Sequence, residues 1–372
     1  RNQRHESEYC IHTLIIENKI NVIKGLIKNK NYNLEIEDVK GNRPIDIAIS
    51  ERHFLIVKLL VESNRINISG QNGNGNTPLM TAINTKRKSI IEYLINMNAG
   101  LNVKDASSCS PLLKALQTKQ LSIAKLLINK GVDVNADNMY GSRPIHCAGM
   151  LGDVELVQML LHQNVELKVT DNNGFSILHY VAQNGYDSIL KLLFHEDLNF
   201  DESDPYGETP LFKALYGGHE KVVDLLLEKN VNLKHLDGNG ETLFHVASHG
   251  SFDVFNKILL LDSTPDLHQK SISGCTPLHN AVIYGQLKVI EKLLELSANI
   301  DEKNHDGETP FFLAVDRQRV DVMSFLISHG ANIELCDNNG DTAMHLVVKN
   351  RFPLELMNHL IDFGMNVNAL NN

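Results

Sequence analysis

The 372-residue chain has no tryptophan and no long apolar run. Stretches such as Ile258-Leu259-Leu260-Leu261 end after four or five residues. A helix that crosses a membrane needs about 18, so no direct membrane insertion is expected. No basic-then-apolar leader opens the sequence. It begins at Arg1 without a methionine and stops just after a repeating unit, which suggests a piece of something longer. Cysteine is scarce: Cys10, Cys109, Cys147, Cys275 and Cys336 lie no closer than 38 residues to one another, so there is no C-x-x-C pair. An odd, sparse set fits a reducing compartment, and a cytoplasmic location is expected. Positive charge is also short. Lys and Arg number 35 against 45 Asp and Glu, a net −10. Residues 1–100 carry 14 basic and 10 acidic residues, the remainder 21 and 35. A long acidic body repels phosphate backbones, so no nucleic-acid partner is expected.

What the chain does have is self-similarity. Thr77-Pro78-Leu79-Met80 recurs as Ser110-Pro111-Leu112-Leu113, Arg143-Pro144-Ile145-His146 and Ser176-Ile177-Leu178-His179. It continues as Thr209-Pro210-Leu211-Phe212, Thr242-Leu243-Phe244-His245, Thr276-Pro277-Leu278-His279, Thr309-Pro310-Phe311-Phe312 and Thr342-Ala343-Met344-His345. Weaker copies stand at Tyr9-Cys10-Ile11-His12 and Arg43-Pro44-Ile45-Asp46, making eleven at a spacing of 33 or 34. A fixed period of this size is the signature of a stacked repeat architecture.

Each copy carries one physical programme. A glycine three residues before the Pro position supplies the positive φ of a tight turn; the fourth copy has Ser108 instead and is expected to turn differently. Thr or Ser then caps a helix whose first residue is proline. Four residues further on comes a small residue, as at Ala82, Ala115, Ala214 and Ala281, which lets a neighbouring helix approach. A second amphipathic helix follows, for example Val289-Ile290-Glu291-Lys292-Leu293-Leu294, with apolar residues at i, i+3 and i+4. No such unit can bury its apolar face alone, so neighbours must stack.

Turn, T-P-L-H, Ala and V-x-x-L-L at this period resemble the ankyrin repeat, over nearly the whole chain. The resemblance implies an all-α ankyrin-repeat solenoid, helix-turn-helix units with projecting β-turn fingers in a curved superhelical stack. It implies a single domain, 1–372, with repeats at about 1–37, 38–71, 72–104, 105–137, 138–170, 171–203, 204–236, 237–270, 271–303, 304–336 and 337–372. In the eighth, Leu261-Asp262-Ser263-Thr264-Pro265 adds a residue and is expected to distort the outer loop.

Little points to chemistry. Six of seventeen histidines (His12, His146, His179, His245, His279 and His345) occupy the fourth motif position, where an imidazole can bridge the backbone of adjacent turns. No set shows metal-ligand spacing. His219-Glu220 begins like H-E-x-x-H but continues to Val223, and Asp337-x-Asn339-x-Asp341 lacks both the glycine and the final glutamate of a calcium loop. No enzyme, cofactor or metal is expected. The chain does resemble a substrate in one place: Leu127, Asp133, Val134, Asn135 and Ala136 match the target pattern of the asparaginyl hydroxylase that modifies ankyrin repeats, pointing to hydroxylation of Asn135. The competing reading is that V-N-A is simply how the unit ends.

The fold implied makes the chain a protein-interaction scaffold or adaptor that binds a partner protein or peptide along the groove and turn tips. The alternative is a targeting or regulatory part of a larger enzyme, channel, toxin or pathogen effector. Met139, Tyr140, Phe175 and Tyr206 would form an apolar run on consecutive units. Ile272 and His305 occupy further tips. Glu208, Glu241 and Glu308 lead an acidic series that suits a basic partner segment. Asp204, Asp237 and Asp337 have a sufficient local reason, since an aspartate at a turn start accepts backbone hydrogen bonds.

Overall fold

The computed structural model describes residues 10–371. Tyr9, the first residue of the earliest motif copy, lies outside them, as does most of that copy's lead-in. The described residues form twenty-two α-helices and no strand. The helices come in pairs, a first of five to eight residues and a second of seven to ten.

The first helices begin where capping chemistry places them. Pro78, Pro111, Pro210 and Pro310 each open a helix at a position whose N–H has no intrahelical partner. Thr77 Oγ1 accepts the N–H of Met80 at 3.2 Å, and Ser110 Oγ accepts that of Leu113 at 3.3 Å. Where the fourth position is histidine, the imidazole completes the cap in the other direction. Nδ1 of His245, His279 and His345 accepts the backbone N–H of Thr242, Thr276 and Thr342 at 3.0, 3.0 and 3.1 Å. Asp46 serves Arg43 in the same way at 3.0 Å. These are capping boxes with histidine in the place usually held by Glu or Gln.

The chain divides into two compact units, one running to Tyr180 and the other from Val181. Within the first, Pro44–Ser50 packs on Pro78–Asn84, and Pro78–Asn84 on Pro111–Gln117. Ala48, Ala82 and Ala115 have no exposed surface at these contacts. The second unit repeats the scheme with Leu243–Ala247, Pro277–Tyr284 and Pro310–Asp316, and with Ala281 and Ala314 fully buried. The second helices close the other side: Leu287–Glu295 buries Val289, Ile290 and Leu293, with Leu293 three and four residues after the other two, the spacing the sequence predicts.

One local expectation changes. Ser108 takes φ +58°, in the same left-handed region as Gly75 at +76° and Gly141 at +67°. Its N–H bonds to Asp105 O at 2.9 Å just as Gly75 N–H bonds to Asn72 O at 2.8 Å. The fourth turn therefore keeps its shape, because the hydrogen-bond pattern outweighs the strain of roughly 1–2 kcal/mol that a side chain meets there. In the eighth repeat the second helix, Phe252–Leu261, is the longest at ten residues. Asp262 ends it, receiving Lys234 Nζ at 2.8 Å and the N–H of Thr264 at 3.0 Å.

Candidate functional site

The turn tips are stiffened from within and from next door. In every turn from Asp38 to Asp337 but the one that starts at Ser271, an Asp or Asn carboxyl or amide oxygen accepts the N–H groups two and four residues on. Asp204 bonds Tyr206 and Glu208, both at 2.9 Å, and Asp237 bonds Asn239 and Glu241 at 2.9 and 2.8 Å. Tips are also laced by backbone bonds. Asn172 N–H donates to Tyr140 O at 3.0 Å in the first unit, and Ile272 N–H to Asn239 O at 2.8 Å in the second. Such a tip presents its side chains with little conformational entropy left to lose on binding.

The exposed tips are Met139 (58% exposed), Tyr140 (64%), Tyr206 (67%) and Ile272 (70%). His305 is exposed too, its carbonyl receiving Asn338 Nδ2 at 2.7 Å. Phe175 is not displayed with them. It is half-buried, stacked on His179 with centroids 5.8 Å apart and edge-on to Tyr180 at 5.4 Å. Its apolar ring finds cover within its own repeat. Glu208 also departs from the free acidic series: Lys213 Nζ reaches both Glu208 and Asp204, with Asp204 at 2.8 Å, and sits 5.9 Å from the Tyr206 ring centroid. Among the described residues Glu241 and Glu308 have neutral side-chain donors and no Lys or Arg partner. Asn280 Nδ2 and Tyr216 Oη reach Glu241, both at 3.0 Å, and Asn304 Nδ2 reaches Glu308 at 2.8 Å. Burial holds the Glu308 carboxyl above the usual carboxylate range, and Asp306, Asp316 and Asp337 add to the rise.

In the first unit the tips and first helices enclose a cavity of about 370 Å³, a size that takes one or two side chains. Leu116, Tyr140, Cys147, Met150, Leu151 and Tyr180 give it an apolar side, and Lys119, Asn138 and Asp171 are among the polar groups at its walls. Tyr180 is fixed there by its hydroxyl, which donates to Asp171 Oδ2 at 2.6 Å. Met150, half exposed at its rim, lies six residues after the motif proline. Reading only the tips missed Met150 and Tyr180. For Met150 the signal is the same 33-residue phase, applied to the last turn of the first helix Pro144–Leu151; Tyr180 is the fourth residue of Ile177–Asn184.

The histidine slots are structural. Nε2 of His146, His245 and His279 donates to Val169 O, Cys275 O and Glu302 O at 3.1, 3.0 and 3.0 Å, while Nδ1 accepts the cap N–H. An imidazole that accepts at one nitrogen and donates at the other is neutral. Burial pushes all three below the ordinary histidine range, His279 to about 4. Two thiols are shielded too: burial raises Cys147, and raises Cys109 to about 11. Asn135 is half-buried in its loop, its Oδ1 accepting Glu166 N–H at 2.8 Å. Among the described residues no three His, Cys, Asp or Glu converge as metal ligands, and no helix is long and apolar enough to cross a membrane.

Comparison with known proteins agrees with this geometry. A search of curated proteins returned no match. Among solved structures, the crystal structure of the human ASB11 ankyrin repeat domain is similar at 25% identity and a TM-score of 0.53, over 60% of this chain and 99% of that one. The family model described as ankyrin repeats (3 copies) matches residues 64–138, 145–237, 178–271, 230–304 and 278–371, the last four overlapping in series. With helix pairs, turns and histidine slots all in phase with that match, the chain belongs to the ankyrin-repeat family.

Proposed function

We propose that this chain is a non-enzymatic protein-interaction scaffold whose turn tips and first-helix faces hold a segment of a partner protein. The observation that carries the reading is the cavity of about 370 Å³ in the first unit, with Tyr140 and Met150 exposed at its edge. An apolar side chain of the partner enters between Leu116, Met150 and Tyr180. The neighbouring tip side chain Met139 then covers the segment on either side of that anchor. Apolar and aromatic side chains held rigidly around a pocket are what interface cores are made of. The stiff tips keep the entropy cost of association low.

The experiment is site-specific crosslinking. With p-benzoylphenylalanine in place of Tyr140, the full chain should trap one protein from cytosol, and Met150→Glu should abolish the adduct by placing a charge in the cavity. A photoprobe in place of the outer-helix residue Lys125 should give no such adduct. The reading fails if the two probes trap the same set of proteins, or if Met150→Glu leaves the adduct unchanged.

A further inference from the structure

The first-helix face of the second unit carries an aromatic ladder that the apolar-cavity reading leaves unused. Tyr216 and Tyr284 are 41% and 47% exposed, and His249 fills the space between them. The imidazole stacks on Tyr284 with centroids 4.0 Å apart and planes 27° off parallel, and lies 5.8 Å from the Tyr216 ring. Its protonation state follows from Asn280. That amide nitrogen donates to Glu241 Oε1 at 3.0 Å and lies 3.4 Å from His245 O, so it is the donor toward His249 Nε2 at 3.1 Å. His249 is therefore neutral, with its proton on Nδ1, and the three rings form an uncharged π surface.

Glu241 lies against this surface and Glu308 stands in the repeat after that of Tyr284, and the chain hydrogen-bonds both without neutralising them. Glu241 is held by Tyr216 and Asn280, Glu308 by Asn304, and among the described residues neither forms an ion pair with Lys or Arg. Both fields reach Cys275 in the repeat between them, whose thiol burial raises and the two glutamates raise further. The contrast with Glu208 is direct: there the chain supplies Lys213 as the counter-charge. At Glu241 and Glu308 no Lys or Arg of the described residues takes that place, which leaves it open to a cation from outside.

Resting on the interaction reading above, we propose that the Tyr216–His249–Tyr284 ladder with Glu241 and Glu308 is the docking site for an extended peptide carrying two arginine or lysine side chains. A guanidinium lies flat on a tyrosine face while its edge donates to a carboxylate, so rings and acids bind one group together. Glu241 and Glu308 stand two repeats apart, roughly 16–20 Å at helix spacings of 8–10 Å. An extended chain advances about 3.3 Å per residue, which puts the two cations five or six residues apart. A third cation near the middle meets only the thiol of Cys275, so spacing sets the specificity.

The test uses fluorescence anisotropy with the full chain and labelled Gly/Ser peptides. One carries two arginines six residues apart, one carries them adjacent, and one has glutamine in both places. The six-residue peptide should bind at least tenfold more tightly than the glutamine peptide and more tightly than the adjacent pair. Glu241→Gln with Glu308→Gln should cost about tenfold or more, and Tyr284→Ala roughly three- to tenfold. Removing two charges elsewhere, by Glu220→Gln with Asp253→Asn, should change affinity less than twofold. Tyr284 is half exposed, and glutamine keeps one of the two acceptors of Glu241 while Tyr216 retains Asp237 as a second partner, so unchanged helical content and melting will show that the variants remain folded. Equal binding of the three peptides overturns the proposal, as does equal loss in the two double variants. Crosslinking at position 140 is independent of these residues, so its success alongside failure here refutes only the basic-peptide site.

Discussion

Lowering the pH should loosen the second unit first at the histidine caps, and His279 shows by how much. The ring has no exposed surface. Its Nδ1 faces the N–H of Thr276 at 3.0 Å and the hydroxyl at 2.8 Å, while Nε2 donates to Glu302 O at 3.0 Å. A proton arriving at Nδ1 meets a donor in Thr276 N–H, so protonation breaks the cap. Burial lowers the pKa from 6.5 to about 4, the bonds to backbone carbonyls offsetting only part of that drop. Since the folded-state value is depressed, the unfolded chain binds the proton first, and stability is full above about 6.5. It falls by about 1.4 kcal/mol per pH unit below that and levels off near 4. At pH 5 the loss from His279 alone is about 2 kcal/mol. His245 and His249 shift in the same direction. His249 is packed among Tyr216, Tyr284 and Asn280 and feels the charges of Glu241 and His245, so it adds to the slope. Long repeat arrays open in segments rather than all at once. Hydrogen exchange of the amides in Pro277–Tyr284, corrected for intrinsic rates, is therefore the assay. Opening free energy should fall by at least 2 kcal/mol from pH 7.5 to pH 5, and by about 2 kcal/mol less in His279→Gln, where the amide still accepts the cap N–H. The same fall in both proteins would refute the reasoning.

Three further outcomes follow from named residues. Ser108→Gly should raise stability by about 0.5–1 kcal/mol in urea unfolding, because it removes left-handed strain at a cost only in unfolded-state entropy. Lys213→Met should cost about 3 kcal/mol or more, since it leaves the carboxylates of Asp204 and Glu208 together with no cation, and a shift in the urea midpoint will measure it. Co-expression with an ankyrin-directed asparaginyl hydroxylase should add the mass of one oxygen to the peptide containing Asn135 and not to its Asn135→Ala form. The adduct should form slowly, because Asn135 is tied to Glu166 N–H; no adduct would leave Asn135 with its loop-closing role alone.

The repeating parts of the fold were legible because one 33-residue phase marks the turn, the cap and the buried alanine together. That His245 reaches the backbone of the next repeat at Cys275 could be anticipated from its slot. What the phase conceals is how side chains in successive units meet. Phe175 follows the turn glycine Gly174, but His179 and Tyr180 offer its ring cover four and five residues on. Lys213 neutralises Glu208 across a turn, a pairing outside the i, i+4 pattern of helices. Met150, Tyr216, His249 and Tyr284 carry no motif, and their importance comes from adjacency across repeats. The division of the chain after Tyr180 leaves no mark in composition, since the motif at Ser176-Ile177-Leu178-His179 continues through it.

The central claim, that these repeats hold a partner segment on their first-helix faces and tips, is tested most directly by selecting displayed random linear peptides against the full chain. Two enriched classes are predicted. One carries an apolar anchor and is lost with Tyr140→Ala plus Met150→Glu. The other carries two basic residues five or six apart and is lost with Glu241→Gln plus Glu308→Gln. Enrichment that survives both double substitutions, or none above background, would contradict the account.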